Sequence, residues 1–272
     1  MAFVPEEIEL DISVDLAQGR DGAWSGTFGS RPAAVAGQPL QQIVIEGGSI
    51  SFEHAVRPAG GRFQGKLSAG GDQIAGDFVQ ADRGRFPFSL HRAAARVEGP
   101  PPEVAPLGGL AQLRDAFRWD DGNPRLLLLL SPTCEMCRVG ASLVKRYVLE
   151  ANDDPKLRVL VVWLPISDED TEATARRAAA DLAEPRVKQY WTTDKSVGDA
   201  FKKPLGMTRG TAWDVYLVYG PQRRWTGEEP PAPDFYMHRN DDLPAALHLN
   251  ARRLAEAVRA GGRDTLKPGA GR

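Results

Sequence analysis

The stretch that most constrains the fold runs from Leu126 to Val148 (LLLLLSPTCEMCRVGASLVKRYV). It opens on an uninterrupted run of leucines, which is typical of a strand buried on both faces of a parallel sheet. After Cys134, apolar residues recur at helical spacing and predict an amphipathic helix. Cys134 and Cys137 therefore lie where a buried strand passes into a helix.

These are the only two cysteines among 272 residues. Unpaired backbone N–H groups and the helix dipole favour a thiolate at a helix N-terminus. The C-x-x-C spacing puts Cys137 one turn behind Cys134, close enough to form a disulfide. A lone C-x-x-C in a chain of alternating strands and helices indicates redox or metal chemistry rather than a structural disulfide framework. Cys134 and Cys137 are the candidate catalytic residues.

Composition narrows the class of protein. A chain with 42% hydrophobic and 26% charged residues is typical of a soluble globular protein, and a net charge of −2 lacks the basic excess of a nucleic-acid binder. No apolar run is long enough to span a bilayer. The N-terminus MAFVPEEIEL has neither the basic nor the apolar region of a secretory signal, so we expect a cytoplasmic protein whose dithiol rests reduced.

Residues 1–97 predict a small all-β domain. Apolar and polar residues alternate from Ile8 to Leu16, as in a half-buried strand. Short strands then follow at regular spacing, with Gly47-Gly48 fitting a two-residue hairpin turn. The further predicted strands are 23–29, 41–46, 49–56, 62–68, 73–80 and 85–92. This spacing favours an antiparallel barrel or sandwich.

A proline-rich stretch, EGPPPEVAP at 98–106, separates this domain from the rest of the chain. Prolines exclude a helix interior or a central strand, so we interpret it as an extended linker. The domain that follows is predicted to span 107–260, and the tail 261–272 is expected to be disordered.

Residues 107–260 predict an α/β domain with a mainly parallel sheet. Apolar runs of strand length alternate with helical segments. The predicted strands are 126–130, 157–164, 187–192, 213–219 and 223–225, the last as an antiparallel partner of 213–219. The predicted helices are 110–117, the segment after Cys134, one through Ala183, a short one to Lys203, and one from Asp241 or Asp242 to Ala260.

This order, together with the junction LLLLLSPTCEMC, resembles the thioredoxin-like superfamily. The extra helix–strand unit is similar to its peroxiredoxin-like and membrane-anchored thioredoxin branch, with VVWLPISDED in the second-strand slot and TTDKSVGDAF in the segment that ends in a short helix. The resemblance implies a thiol–disulfide oxidoreductase or redox sensor. Cys134 would be the attacking thiol and Cys137 the resolving one. The partner would be a protein or small-molecule thiol or disulfide, and no cofactor is implied.

The chain departs from the family at two places. The family has a cis-proline before the fourth strand, facing the cysteines, whereas Gly210-Thr-Ala-Trp213 contains no proline. This puts broad dithiol reductase activity in doubt. The second departure is Glu135, whose carboxylate is expected to raise the pKa of a neighbouring thiol, with Arg138 partly offsetting it.

The N-terminal stretch resembles a small β domain attached to bacterial hydrolases. The segments that carry this are GAWSGTF, PLQQIVIEGGSISFEH, GRFQGKLSAGGDQIAGDFVQ and RFPFSLHR. The resemblance implies a fold and no chemistry, so we interpret the domain as a docking or ligand-sensing module.

Two other functions stay open. In one, Cys134 and Cys137 hold or deliver a metal together with His238, and with Met237 the set would suit Cu(I). In the other, the cysteines are idle and the protein is a non-catalytic interaction module.

Overall fold

The computed structural model describes residues 12–30, 35–55, 60–81, 83–92 and 102–263. The described residues fall into two compact units. We call residues 12–92 the β unit and residues 102–263 the α/β unit. Residues 98–101 of the predicted linker, the first four residues of the first predicted strand and the predicted tail from 264 onwards lie outside the described residues.

The described residues of the β unit form eight antiparallel strands in two sheets. The strands are β1 (Ile12–Gln18), β2 (Trp24–Ser30), β3 (Val35–Pro39), β4 (Gln41–Glu46), β5 (Ser49–His54), β6 (Gly61–Leu67), β7 (Gln73–Gln80) and β8 (Gly84–His91). The sheets have the orders β1-β2-β3 and β4-β5-β6-β7-β8. Gly47 and Gly48 both have positive φ, as a tight hairpin turn requires.

The two sheets share one small aromatic core. Its buried members come from both sheets: Phe28, Leu40, Ile50, Phe52 and Phe63. The all-β prediction for this part of the chain agrees with these sheets. Strand β3 was not predicted, because its sequence VAGQP contains a glycine and a proline and lacks polar alternation.

The α/β unit contains one six-stranded sheet and six helices. Its strands are β9 (Val104–Pro106), β10 (Arg125–Leu130), β11 (Arg158–Trp163), β12 (Val187–Trp191), β13 (Val215–Tyr219) and β14 (Phe235–His238). Its helices are α1 (Leu110–Trp119), α2 (Glu135–Leu143), α3 (Glu172–Ala179), α4 (Ser196–Ala200), α5 (Lys202–Leu205) and α6 (Ala251–Arg259). A π-helical turn, Val144–Leu149, extends α2.

The sheet has the order β14-β13-β10-β11-β12-β9. Strands β9 to β12 are parallel, with Leu126 opposite Val159, whereas β13 runs antiparallel to β10 with Leu217 opposite Leu127. The leucine run therefore lies in an interior strand of the sheet, between β13 and β11, and all of its residues are fully buried. Because side chains alternate along a strand, Leu126, Leu128 and Leu130 pack on one face, with α2, α3 and α6. Leu127 and Leu129 pack on the other, with α1 and α4.

Three predictions about elements need correction. The antiparallel partner of β13 is β14, which begins ten residues beyond the end of the predicted 223–225, because Pro230-Pro231 and their neighbours extend the connection. The last helix begins after the N-cap Asn250, not near Asp241, and only a short 3₁₀ turn follows Pro244. Part of the predicted linker, β9, pairs with β12 as an edge strand, where proline is tolerated.

Within the described residues, no helix is both long and apolar enough to cross a bilayer.

Candidate functional site

The two cysteines lie at the carboxyl end of β10 and the first turn of α2. Cys134 is the N-cap residue, and its Sγ accepts a hydrogen bond from the backbone N–H of Cys137 at 3.2 Å. Cys134 is half-buried, whereas Cys137 is fully buried and its Sγ accepts from the N–H of Ser131 at 3.4 Å. The sequence placed both residues correctly at a strand-to-helix junction.

The same geometry separates the acidities of the two thiols. Hydrogen bonds from the Cys137 side chain and from the backbone N–H groups of Cys137 and Met136 lower the pKa of Cys134, against burial and the charge of Asp214. Burial, the Cys134 hydrogen bond and the charge of Asp214 raise the pKa of Cys137 well above its usual value. One thiol is thus accessible and more acidic, and the other is enclosed and less acidic.

The sequence interpretation missed Asp214, the third member of this site. One carboxylate oxygen of Asp214 and both sulfurs all lie within 4.8 Å of one another. Asp214 is 2% exposed and has φ of 53°, a left-handed conformation that non-glycine residues seldom adopt. Burial raises the pKa of Asp214. The signal in the sequence is an aspartate directly before the apolar run VYLVY, whereas the strand prediction 213–219 includes that aspartate in the strand.

Tyr216 and Gly140 fix the position of the Asp214 carboxylate. The Tyr216 hydroxyl donates to Asp214 Oδ1 at 2.8 Å, and the ring is fully buried. A Cβ on Gly140 would lie 1.6 Å from the Tyr216 Oη, so only glycine permits this approach of α2 to β13. Gly140 therefore allows the tyrosine to hold the carboxylate beside the dithiol.

A second buried carboxylate, that of Asp170, holds the loop that leads to Cys134. It accepts hydrogen bonds from the Ser131 hydroxyl, from the N–H and hydroxyl of Thr133, and from the N–H groups of Ile166 and Ser167, at 2.6 to 3.1 Å. The N-cap of α3 is the next residue, Thr171, in a reciprocal pair with Thr174.

His238 is not brought to the cysteines. It is buried on β14, where its Nδ1 accepts from the Asn240 N–H at 3.1 Å and its Nε2 donates to the Pro244 carbonyl at 2.9 Å. Both ring nitrogens therefore have protein partners. The hypothesis of a metal set with His238 is not supported by this geometry, and Asp214 occupies the position that it required.

The electrostatic expectation for Glu135 and Arg138 also changes. Glu135 is exposed, and the carboxylate that opposes thiolate formation is Asp214. Arg138 forms an ion pair with the buried Asp181 at 2.7 Å. Proximity in sequence thus gave the wrong carboxylate for Cys134.

The segment Gly210-Thr-Ala-Trp213, which contains no proline, leads directly into Asp214. Ala212 is fully buried there, and its N–H donates to the carbonyl of Gly198. At the solvent side, the Arg239 guanidinium lies 3.7 Å from the sulfur of Met136, which is 45% exposed. An apolar and a cationic side chain therefore flank the accessible thiol.

No protein-family model and no curated protein matches the chain. Two solved structures resemble it weakly. One is a secreted Mycobacterium tuberculosis disulfide oxidoreductase homologous to E. coli DsbE, with a TM-score of 0.34 and 10% identity over 53% of this chain and 85% of that one. The other is a thioredoxin-like protein in its oxidized form, with a TM-score of 0.30 and 18% identity over 47% of this chain and 86% of that one. Similarity at this level establishes no shared activity.

Proposed function

We propose that this protein is a thiol–disulfide oxidoreductase with a thioredoxin-like α/β unit. The observation that carries the proposal is the asymmetry of the dithiol. Cys134 is half-buried, with a pKa lowered first by the hydrogen bond from the Cys137 thiol and then by N–H groups at the start of α2, and Cys137 is enclosed directly behind it. The thiolate is the reactive form of cysteine, and exchange requires a second thiol within reach of the first.

The reaction follows from these positions. The Cys134 thiolate attacks one sulfur of a partner disulfide, and the other partner sulfur leaves as a thiolate. Cys137 then loses its proton and attacks Cys134 Sγ, which releases the second partner sulfur. The partner gains two electrons and the protein is left with a Cys134–Cys137 disulfide. The reverse sequence oxidises a dithiol.

Asp214 would assist the second step. It is the buried carboxylate beside both sulfurs, and its raised pKa makes it a stronger base than an ordinary aspartate. The proton of the Cys137 thiol can therefore pass to Asp214 in a pocket that the bulk solvent does not reach. The same negative charge opposes premature ionisation of Cys137 while Cys134 is free.

A glutathione redox series on the metal-free protein tests the proposal, with the Cys134–Cys137 disulfide read by mass spectrometry. We expect a reversible two-electron transition between roughly −120 and −300 mV. Cys137→Ser should trap a mixed disulfide on Cys134, and Cys134→Ser should trap none. Absence of a transition, or unchanged cellular function of Cys134→Ser, would favour the non-catalytic interaction module.

We also propose that the β unit docks the partner of the dithiol. In support, the five-stranded sheet carries an open groove of about 660 Å³ on β4 to β7, lined in part by Gln64, Gly65, Lys66 and Gly76. Lys66→Glu in this groove should raise KM for the partner and leave the reduction potential unchanged. An unchanged KM would remove the groove from the docking surface.

A further inference from the structure

The dithiol and Asp214 form a set of three donors that point at one volume. Each contributes one ligand atom, and the two sulfurs and the oxygen lie within 4.8 Å of one another. In a tetrahedral zinc site with Zn–S of about 2.3 Å and Zn–O of about 2.1 Å, donor atoms are roughly 3.5–3.8 Å apart. A contraction of about 1 Å would therefore close the set around an ion, and the half-buried Cys134 has the freedom to supply it.

We propose that the reduced protein binds one borderline divalent cation, such as Zn²⁺, through Cys134, Cys137 and Asp214. The fourth position lies on the exposed side of Cys134, where a water molecule completes the tetrahedron. The two thiol protons pass to solvent, and no electron is transferred.

The donor types select the ion. Two thiolates with one carboxylate oxygen suit zinc or cadmium, whereas Cu(I) prefers thiolate and thioether donors alone. Met237 is buried, and its sulfur accepts from the N–H of Asn250 at 3.5 Å, so it is engaged on β14. The cation thus differs from the Cu(I) that a cysteine, histidine and methionine set predicts.

The surroundings support a cation at this place. Three anionic donors and a divalent cation leave a net charge of −1, and Arg239 contributes a compensating positive charge near Asp214. The Tyr216 hydroxyl donates to Asp214 Oδ1 and orients the carboxylate, as outer hydrogen bonds do around protein metal ligands. Asp214 is also held in a left-handed conformation, a strain of the kind that persists at functional sites.

Metal binding and disulfide formation exclude each other, because both consume the same two sulfurs. A cation that binds only the reduced protein stabilises that form. We therefore expect Zn²⁺ to shift the apparent reduction potential of the dithiol to less negative values, with the logarithm of its free concentration once that exceeds the dissociation constant.

The test is a titration of fully reduced, metal-stripped full-length protein with Zn²⁺ against a chromophoric chelator, and with Cd²⁺ followed by thiolate charge-transfer absorption. We expect one ion per chain. Asp214→Asn should weaken Zn²⁺ binding at least ten-fold, and zinc X-ray absorption should show two sulfurs at about 2.3 Å in the native site. Asparagine accepts positive φ readily, so this variant preserves the backbone.

Two control variants separate coordination from charge and from the alternative ligand. Glu135→Gln removes an exposed carboxylate between the cysteines and should leave the affinity within two-fold of native. His238→Gln should do the same. Equal affinity of Asp214→Asn and native protein, or one ion per two chains, would overturn the proposal. A dithiol that titrates reversibly with glutathione yet binds no zinc would overturn only this inference, and the converse result would overturn only the oxidoreductase.

Discussion

The α/β unit encloses four aspartates, whereas the buried side chains of the β unit are mostly apolar and aromatic. Asp120 and Asp181 are paired with cations, and Asp170 is surrounded by hydrogen-bond donors. Asp214 instead faces two thiols and receives a hydrogen bond from Tyr216. The comparison separates carboxylates that are paired or hydrogen-bonded within the fold from the one that lies beside the dithiol.

The β unit buries one titratable ring, His54, in its aromatic core. Its imidazole stacks on Phe28 with centroids 4.3 Å apart, and its Nδ1 lacks a hydrogen-bond partner among the described residues. Burial lowers its pKa. Here a polar ring serves as a packing element, in contrast to His238 of the α/β unit, where both nitrogens are bonded.

The largest effect is expected from Gly140→Ala. Alanine normally stabilises a helix interior by about 1 kcal/mol relative to glycine. Here the added Cβ collides with the Tyr216 hydroxyl, so we expect a loss of roughly 2–3 kcal/mol. Chemical denaturation measures it. Gly227→Ala, where a Cβ meets nothing within 4 Å, is the control and should change stability by less than about 0.5 kcal/mol. Equal behaviour of the two variants would contradict the close packing of α2 on β13.

Asp170→Asn should cost about 2–3 kcal/mol, because the amide can accept from fewer of the five donors and leaves buried N–H groups unpaired. Hydrogen exchange should increase first in residues 131–134 and 166–167. The exposed neighbour Asp168→Asn is the matched control. A mild, delocalised change in exchange would mean that Asp170 does not hold the loop.

Asp214→Asn should have the opposite effect on stability and should stabilise the protein at neutral pH. Because the folded-state pKa of Asp214 is raised, its contribution to stability is present below the unfolded pKa and is lost as pH rises through the folded pKa. At neutral pH the variant should therefore melt about 2–4 °C higher than native, equivalent to about 1 kcal/mol. The difference should vanish near pH 4. Metal-free, reduced protein is required for both melts.

The same variant sharpens the site assignment, because the Asp214 charge raises the pKa of Cys134. Alkylation of Cys134, followed against pH in a Cys137→Ser background, should show a lower midpoint once Asp214 is replaced. Glu135→Gln should move the midpoint less. If Glu135→Gln shifts the midpoint more than Asp214→Asn does, Glu135 rather than Asp214 is the carboxylate that raises the pKa of Cys134.

The smallest effect is expected in the β unit. The lowered pKa of His54 gives a contribution to stability that is present above the unfolded pKa of about 6.5 and is lost as pH falls through the folded pKa. Hydrogen-exchange protection of β5 and β6, corrected for the pH dependence of the intrinsic exchange rate, should therefore decrease as the pH falls from about 7 to about 5. His54→Phe should abolish this dependence with less than about 1 kcal/mol change at neutral pH. The exposed His91→Gln should leave it intact.

Elements with a strong local period were predictable from the residues themselves. The bounds predicted for β4 and β7 agree with the structure, and the leucine run is the centre of the sheet, because alternation and burial follow directly from side-chain direction in a strand. The position of both cysteines followed from the strand-to-helix junction for the same reason. Edge strands β3 and β9 were missed, since proline and glycine obscure short, weakly paired strands.

What the sequence determined by itself is therefore the local pattern: the strands, the junction and the dithiol within one helical turn. What only the tertiary structure decided is which distant groups meet that dithiol. Asp214 reaches it because β13 pairs antiparallel with β10, and Tyr216 approaches through the space that Gly140 leaves open. Glu135 lies beside Cys134 in the sequence and His238 carries a metal-binding ring, but Glu135 is exposed and both ring nitrogens of His238 are bonded on β14. Contacts between residues some eighty positions apart depend on packing, which no local period encodes.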